Sequence, residues 1–255
     1  MIDRQQRLNE LIGLSHRLGD PWLEAAILGE GNTSARASDT TFLVKASGFQ
    51  LPTITEDGFT EVIFEKVLSL LEADDISDQA VKTCLAAARV SQEAAHPSVE
   101  TILHGLLLQL PDVEFVAHTH PVAVNAITCA RDGEKAFAGR LFPDEIVCCG
   151  PRYVWIPWTD PGAPLARRVH VEVQRFLDEE GFAPKVIVMQ NHGMIALGPT
   201  SASVENATRM MVKMCKILLG TYLLGGPNTL SPAAVERIFT RPDEKYRERL
   251  LEKKD

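Results

Sequence analysis

Apolar residues recur along this chain with two different periods, and the change of period divides it into helices and strands. A period near 3.6 residues marks one face of a helix, whereas alternation or a short apolar run marks a strand. Helices are predicted over residues 4–18, from Trp22 onward, from Ser98 past His104, and over 61–72, 78–92, 121–130, 164–180, 201–224 and within 231–255. Strands are predicted over 33–37, 41–46, 115–120, 146–149 and 153–158, and on both sides of a bend at 191–193.

Length and composition favour one large domain and limit the kind of partner. The chain has 255 residues, 45% of them hydrophobic, which is enough for a single sizeable core. Its net charge of -8 and pI near 5.4 argue against a nucleic-acid or anionic-membrane surface, because both need clustered Lys and Arg. A phosphorylated small molecule needs only a local positive site, so that class of substrate stays open.

The chain shows no pattern of an exported or membrane-bound protein. Residues 1–7 lack the apolar core of a secretory signal, and the apolar tract at 217–226 is too short to span a bilayer. Five cysteines without a Cys-x-x-Cys pair predict reduced, mostly buried thiols and a cytoplasmic location. Cys148 and Cys149 are adjacent, but their strand-like surroundings favour core packing over a redox role.

The candidate chemistry centres on His118 and His120, which follow an apolar run. Residues two apart on a strand point to the same face, so the two imidazoles point the same way. Paired imidazoles suit zinc, whose catalytic sites use three protein ligands and leave a fourth position open. The pair alone leaves a simpler alternative, namely two polar residues at a strand end. A third donor would favour the metal.

Two more segments supply that donor and a base. His192 lies at the tip of an Asn-His-Gly bend, where Gly193 can take an unusual backbone conformation. Glu100 and His104, four residues apart, share one helical face, and His104 would orient Glu100 or pack beneath it. Because only a short turn separates that helix from the strand of His118, we expect Glu100 to reach the metal. The alternative is that Glu100 only complements the helix dipole.

Upstream loops offer groups that could hold an anion. Gly29-Glu30-Gly31-Asn32 looks at first like a dinucleotide fingerprint, but strands follow it in place of a helix, which excludes that site. The same loop and the turn Lys45-Ala46-Ser47-Gly48 can present N–H groups, an amide and a hydroxyl. Ser98, at a predicted helix N-terminus, can lie against a phosphate. For each of these two loops considered by itself, the simpler alternative is an ordinary turn that binds no anion.

Four motifs in one order resemble the class II aldolase/adducin family over residues 5 to 220. They are Gly31-Asn32-Thr33-Ser34, then Lys45-Ala46-Ser47-Gly48, then Pro97-Ser98-Val99-Glu100 with His104, and finally His118-Thr119-His120 followed by Asn191-His192-Gly193. The resemblance implies an α/β fold, a single three-layer α/β/α domain with a central, largely antiparallel sheet. It also implies a homotetramer with active sites near subunit interfaces. We expect this domain over residues 1–225, and over 226–255 a helical tail that belongs to the same domain or to a subunit interface.

The resemblance also assigns roles to the residues of these motifs. His118, His120 and His192 would bind Zn²⁺ or another divalent metal, Glu100 would be the catalytic acid/base, and Asn32, Ser47, Gly48 and Ser98 would hold the substrate phosphate, with support from Lys45 and His104. One departure concerns Val99, because aldolases of this family often have a second serine there. Because valine replaces that serine here, the phosphate pocket lacks one hydroxyl.

The activity implied is cleavage of a ketose 1-phosphate of the fuculose or rhamnulose type. The products would be dihydroxyacetone phosphate and an aldehyde, formed through a metal-stabilised enediolate. Pentulose-5-phosphate 4-epimerases and sugar-phosphate dehydratases and decarboxylases use the same metal site, so they stay open as alternatives. A non-catalytic, adducin-like binding module is the alternative of another class, and it would lack the metal-binding histidines.

Overall fold

The computed structural model describes residues 3 to 252, which form one central sheet with helices on both sides. The strands are β1 (Asn32–Arg36), β2 (Thr41–Lys45), β3 (Phe59–Ile63), β4 (Phe115–Thr119), β5 (Val154–Ile156), β6 (Val186–Met189) and β7 (Gly193–Gly198). The helices are α1 (Arg4–Leu18), α2 (Phe64–Leu68), α3 (Asp78–Ala88), α4 (Thr101–Leu107), α5 (Val122–Thr128), α6 (Gly133–Ala136), α7 (Pro143–Cys149), α8 (Ala163–Glu180), α9 (Ser201–Tyr222), α10 (Pro232–Thr240) and α11 (Pro242–Glu252).

The sheet has the strand order β3-β2-β1-β4-β7-β6-β5, with β4 at its centre. Neighbouring strands are antiparallel except for β5 and β6, which run parallel. This confirms the largely antiparallel sheet. The register places Asn32 of β1 opposite His118 of β4, and His118 opposite Ile195 of β7.

Alternation along the strands separates two apolar cores and gives the three predicted layers. Phe115 and Ala117 face the core under α1, α5 and α9, whereas Val116 between them faces the core under α2, α3, α4 and α8. Because side chains two apart share a face, His118 follows Val116 onto the side of α4. Asn32, paired with His118, lies on that side too.

Two predicted elements have the wrong type. Residues 61–63 belong to β3, because Val62 pairs with Phe42 across the sheet, and the helix begins only at Phe64. The apolar run at 146–149 is the last part of helix α7, not a strand. A short buried apolar run does not distinguish the two by periodicity. The decisive signals were Pro143 at the helix start and Gly150 after its end.

Smaller differences concern the first loop, the thiols and the tail. The helix predicted from Trp22 is a single 3-10 turn, Pro21–Leu23. All five cysteines are free, but only Cys149 and Cys215 are buried. The tail helices α10 and α11 pack against α7 and α9 without burying any residue fully. Among residues 3 to 252, no helix combines the length and apolar character of a membrane span.

Candidate metal centre and active site

His118, His120 and His192 meet at the end of β4, with their ligand atoms within 4.8 Å of one another. The Nε2 atoms of His118 and His120 are 2.9 Å apart. Glu100 Oε1 lies 3.4 Å from the Nε2 atoms of both His118 and His192. The structure therefore brings together the three predicted metal ligands and the predicted base.

Glycine at position 193 lets the turn of His192 approach β4 closely. A Cβ at Gly193 would lie 2.5 Å from the Thr119 carbonyl oxygen and 2.7 Å from His120 Cδ2. The left-handed residue of this turn is Asn191, with φ 54°, so the expectation of an unusual conformation at Gly193 is wrong. Close approach of two backbones, and not a special φ, is what requires glycine here.

Contacts outside the cluster orient the three histidines, through a ring nitrogen in His118 and His120 and through the backbone carbonyl in His192. His118 Nδ1 lies 2.9 Å from the Met194 carbonyl, to which it can only donate, so the Nε2 lone pair of the neutral ring is free for a metal. His120 Nδ1 lies 3.9 Å from Glu30 Oε1, and Asn125 Nδ2 donates to the His192 carbonyl at 3.1 Å. Sequence reasoning missed Glu30 and Asn125. Glu30 stood in a quoted motif, but only tertiary contact reveals its neighbour.

Glu100 precedes α4, which begins at Thr101, so the prediction of a helix capped by Ser98 is wrong. Asn32 Nδ2 donates to Glu100 Oε2 at 2.7 Å. Burial alone would raise the pKa of Glu100, but the charge of His118 and hydrogen bonds from His118, His192 and Asn32 hold it well below its usual range. Glu100 is therefore a carboxylate at neutral pH, with Oε2 anchored and Oε1 facing the histidines.

His104 lies behind Asn32 in the polar cluster. Its Nε2 contacts Asn32 Oδ1, and its Nδ1 lies 2.6 Å from Ser34 Oγ. Burial, with the charge of His118, lowers the pKa of His104 to about 3. His104 thus supports Glu100 indirectly, through Asn32. Ser34 is a further member of the cluster to which the sequence analysis gave no role.

The predicted phosphate groups fall on two adjacent segments. The Ser47 N–H donates to the His96 carbonyl at 3.0 Å, which places Ser47 and Gly48 beside the turn that carries Ser98. Ser47 and Gly48 are exposed, and Ser98 Oγ is buried without a hydrogen-bond partner among the described residues. Lys45 is buried, with Nζ 3.3 Å from the Gly29 carbonyl. Asn32 stands apart from this group, because its amide contacts Glu100 and His104.

The donor set fits a tetrahedral metal ion. Ligand atoms about 2.0–2.1 Å from zinc in a tetrahedral arrangement lie roughly 3.3 Å from each other. The two separations from Glu100 Oε1, both 3.4 Å, match that spacing, the His118–His120 separation of 2.9 Å is shorter, and all three histidine ligand atoms lie within 4.8 Å of one another. A cleft of about 850 Å³ lies by Phe115, at the other end of β4, and none of the predicted site residues lines it.

Residues 9–219 match the family described as Class II Aldolase and Adducin N-terminal domain. The chain belongs to this family, as the motifs predicted. The match covers most of the chain and includes every residue of the site described above.

Three known proteins illustrate what this chain is similar to. A solved N-terminal class II aldolase domain from Thermoplasma acidophilum is 28% identical, with a TM-score of 0.65 over 83% of this chain and 93% of that one. An L-fuculose 1-phosphate aldolase from Glaciozyma antarctica shares the fold at 13% identity, with a TM-score of 0.65 over 99% of this chain and 92% of that one. The uncharacterized oxidoreductase YuxG of Bacillus subtilis is 28% identical over 193 residues, which is 72% of this chain and 26% of that protein. This chain thus spans about a quarter of the length of that curated relative.

Proposed function

We propose that this protein is a zinc-dependent aldolase that cleaves a ketose 1-phosphate to dihydroxyacetone phosphate and an aldehyde. The single observation that carries the proposal is the convergence of three imidazole Nε2 atoms and one carboxylate oxygen at the end of β4. In an adducin-like binding module there would be no reason for three imidazoles, one buried and two partly buried, to converge with a carboxylate. Membership of the class II aldolase and adducin family supports an aldolase reaction.

His118, His120 and His192 would hold the metal. A divalent ion there would supply Lewis-acid stabilisation for the negative charge that develops on the substrate oxygens. The same charge would favour the neutral state of His118, whose pKa is raised in the free protein because the charge of Glu100 and hydrogen bonds to Glu100 and Met194 outweigh burial. Glu100 Oε1 lies 3.4 Å from the Nε2 atoms of His118 and His192, so Glu100 would be the carboxylate next to substrate bound there.

Glu100 is the group that can move the proton. Cleavage breaks the C3–C4 bond of the ketose, removes a proton from the C4 hydroxyl and adds one to C3. The net change is transfer of one proton between two substrate atoms, so a single carboxylate can balance it. Such a base must be ionised before the reaction and lie within reach of substrate at the metal. The lowered pKa of Glu100 and its place beside His118 meet both conditions.

The phosphate would lie between the turn of Ser47 and Gly48 and the turn of Ser98. The unpartnered Ser98 hydroxyl, the exposed Ser47 and the open side of Gly48, where a Cβ would contact nothing within 4 Å, support this location. Lys45 adds positive charge nearby. Asn32 retains one amide hydrogen beyond its bond to Glu100, so its predicted contact with phosphate rests on that hydrogen. Val99, 45% exposed, supplies no polar group.

The experiment is a panel of ketose 1-phosphates and pentulose 5-phosphates, with products identified by NMR and metal content measured on the same sample. Dihydroxyacetone phosphate as product would support the proposal. A sugar phosphate with an inverted C4 centre would replace it with an epimerase, and loss of water or carbon dioxide with a dehydratase or decarboxylase. Protein without about one divalent metal per chain would favour the binding module.

An apolar surface beside the site supports the proposed homotetramer. Trp22, Leu28 and Val122 are 91%, 78% and 58% exposed, and the His120 N–H donates to Ala25 in the same loop. Apolar patches of this kind commonly mark interfaces. The tail from residue 226 would belong to the same domain or to this assembly. Light scattering would measure the subunit number.

The five free cysteines support a cytoplasmic location.

A further inference from the structure

A buried chain of hydrogen bonds runs from β1 through α4 to Glu100. Ser34 Oγ lies 2.6 Å from His104 Nδ1, His104 Nε2 contacts Asn32 Oδ1, and Asn32 Nδ2 donates to Glu100 Oε2 at 2.7 Å. Ser34 and His104 are 0% exposed and Asn32 is 4% exposed. Water therefore does not compete for these bonds, and each group depends on the next.

The spacing of the four residues makes the chain continuous. Asn32 and Ser34 are two apart on β1, so they share the face toward α4 and are separated by roughly 6.6 Å along the strand. Glu100 and His104 are four apart, which is about 6 Å along a helix. The spacing of the pair on β1 nearly equals the spacing of the pair at α4. His104 can therefore contact both Asn32 and Ser34, and Asn32 can contact both Glu100 and His104.

The donors can point in only one direction. An ionised Glu100 only accepts, so the Asn32 amide must present its N–H group to Oε2 and its carbonyl to His104. The carbonyl accepts, so His104 must carry its proton on Nε2. The lone pair then falls on Nδ1, where the Ser34 hydroxyl donates. Burial keeps His104 neutral, which this order requires, and its pKa of about 3 agrees.

We infer that Ser34 and His104 are positioning residues that fix the orientation of the Asn32 amide and thereby hold Glu100 with Oε1 toward His118 and His192. The inference rests on the proposed role of Glu100 as the base. Without the proton on His104 Nε2, the Asn32 amide is free to turn over and present its oxygen to the carboxylate. The repulsion would release Glu100 from the orientation in which it reaches substrate.

The kinetic test replaces Ser34 by Ala and compares it with Ser15→Ala, a change on α1 that removes a contact with the opposite face of the same strand. Ser15 Oγ lies 2.6 Å from Thr33 Oγ1, and Ser15 and Thr33 are also 0% exposed. Ser34→Ala and Ser15→Ala each remove one buried hydroxyl, and because the Ser15 hydroxyl also donates to the Leu11 carbonyl at 2.8 Å, we expect Ser15→Ala to lose at least as much melting temperature. Only Ser34→Ala should lower kcat, by about 10-fold to 100-fold, since a small misplacement of a reacting group has that effect. KM and metal content should not change, and Ser34→Thr should restore kcat.

A second readout needs no substrate. Nitrogen-15 NMR of the histidine side chains in the protein as purified should show His104 neutral with its proton on Nε2. The same tautomer is expected in Ser15→Ala, and a shift toward the Nδ1–H form in Ser34→Ala. This measurement separates the two proposals, because the tautomer can be as expected even if no ketose 1-phosphate is cleaved.

Two results would overturn the inference. One is an Nδ1–H tautomer of His104 in the wild-type protein, which reverses the order of the donors. The other is equal kcat in Ser34→Ala and Ser15→Ala, measured on whichever substrate the panel identifies. If Ser34→Ala does not fold, the wild-type tautomer and the kcat of Ser34→Thr still decide the outcome.

Discussion

Arg140, Glu145 and Tyr153 form a buried polar cluster around α7, and the three histidines with Glu100 form another at the end of β4. In the first, Glu145 accepts from Arg140 Nη1 at 3.1 Å, from the Tyr153 hydroxyl at 2.6 Å and from the Leu141 N–H at 2.7 Å. Arg140 also stacks on the Tyr153 ring, with Cζ 3.5 Å from its centroid. Nearly every polar atom there has an internal partner, the exception being Arg140 Nε.

The histidine cluster has the opposite organisation. His118 Nδ1 lies 2.9 Å from a backbone carbonyl, but the inner nitrogens converge with Glu100 Oε1, and the three histidine ligand atoms lie within 4.8 Å of one another. Buried polar groups that satisfy each other stabilise a fold, whereas nitrogen and carboxylate oxygen atoms that converge on one point can hold a cation between them. Both clusters combine burial with charge. The Arg140 cluster satisfies its own polar atoms, whereas the nitrogen and oxygen atoms of the histidine cluster converge on one point, which is what a ligand site needs.

Glu100→Gln should give the largest effect on activity. Glutamine keeps the shape and can still accept from Asn32, but it cannot take up a proton. We expect kcat to fall by roughly 10³-fold to 10⁴-fold, the upper part of the range for general acid–base catalysis. Metal content per chain, measured by elemental analysis, should stay at the wild-type value. Normal turnover in this variant would reject Glu100 as the base.

Arg140→Leu should affect stability alone. Loss of Arg140 leaves Glu145 buried without its countercharge, and breaking such a pair costs about 3–5 kcal/mol. Urea unfolding measures this, with Arg152→Leu as the control, because the pair of Arg152 with Glu179 is exposed and worth less than about 1 kcal/mol. Metal content of the folded Arg140→Leu protein should be unchanged. Loss of metal there would show that the two clusters are coupled.

Local signals predicted most of the fold and the inner site. His118 lies on a strand that its preceding apolar run identifies, His120 follows directly after that strand, and His192 lies on a bend that its own tripeptide marks. The roles of Glu30 and Ser34 could not be predicted, because each depends on a contact with a residue 70 or more positions away. The same limit applies to α7, where burial hides the helical period and only the flanking Pro143 and Gly150 distinguish helix from strand.

Glu30→Gln should weaken metal binding without abolishing it. Glu30 Oε1 lies 3.9 Å from His120 Nδ1, close enough to hydrogen-bond after a small rotation or through one water. Outer partners of metal-binding histidines contribute about 10-fold to 100-fold in affinity, and we expect the lower value at this distance. Competition with a chelator measures it.

Glu24→Gln is the matched control for this change. Glu24 lies on the same loop and pairs with Lys216 at 3.2 Å, away from His120. Glu24→Gln removes the same charge as Glu30→Gln, so a purely long-range effect of charge on metal affinity would appear in both variants. We expect less than about a twofold change, because solvent screens an exposed charge. Equal effects of the two substitutions would reject a specific role for Glu30.

The last expected effect is a change in how stability depends on pH. The pKa of His104 is lowered from 6.5 to about 3, first by burial and then by the charge of His118. Between these two pH values, the unfolded chain binds a proton at His104 and the folded protein does not. The stability contributed by neutral His104 is therefore complete above pH 6.5 and is lost as the pH falls toward 3. In His104→Gln this loss is absent, so the stability gap between wild type and variant should narrow on acidification, by at most about 1.4 kcal/mol per pH unit.

Thermal unfolding in the presence of a chelator, between pH 7 and pH 4, measures this gap without a contribution from metal release. His170→Gln is the control, because His170 is exposed on α8 and lies outside the cluster. Its gap to wild type should stay constant over the same range. Parallel curves for wild type and His104→Gln would mean that His104 accepts a proton in the folded protein. The donor order from Ser34 to Glu100 would then hold only at the pH values where His104 is neutral.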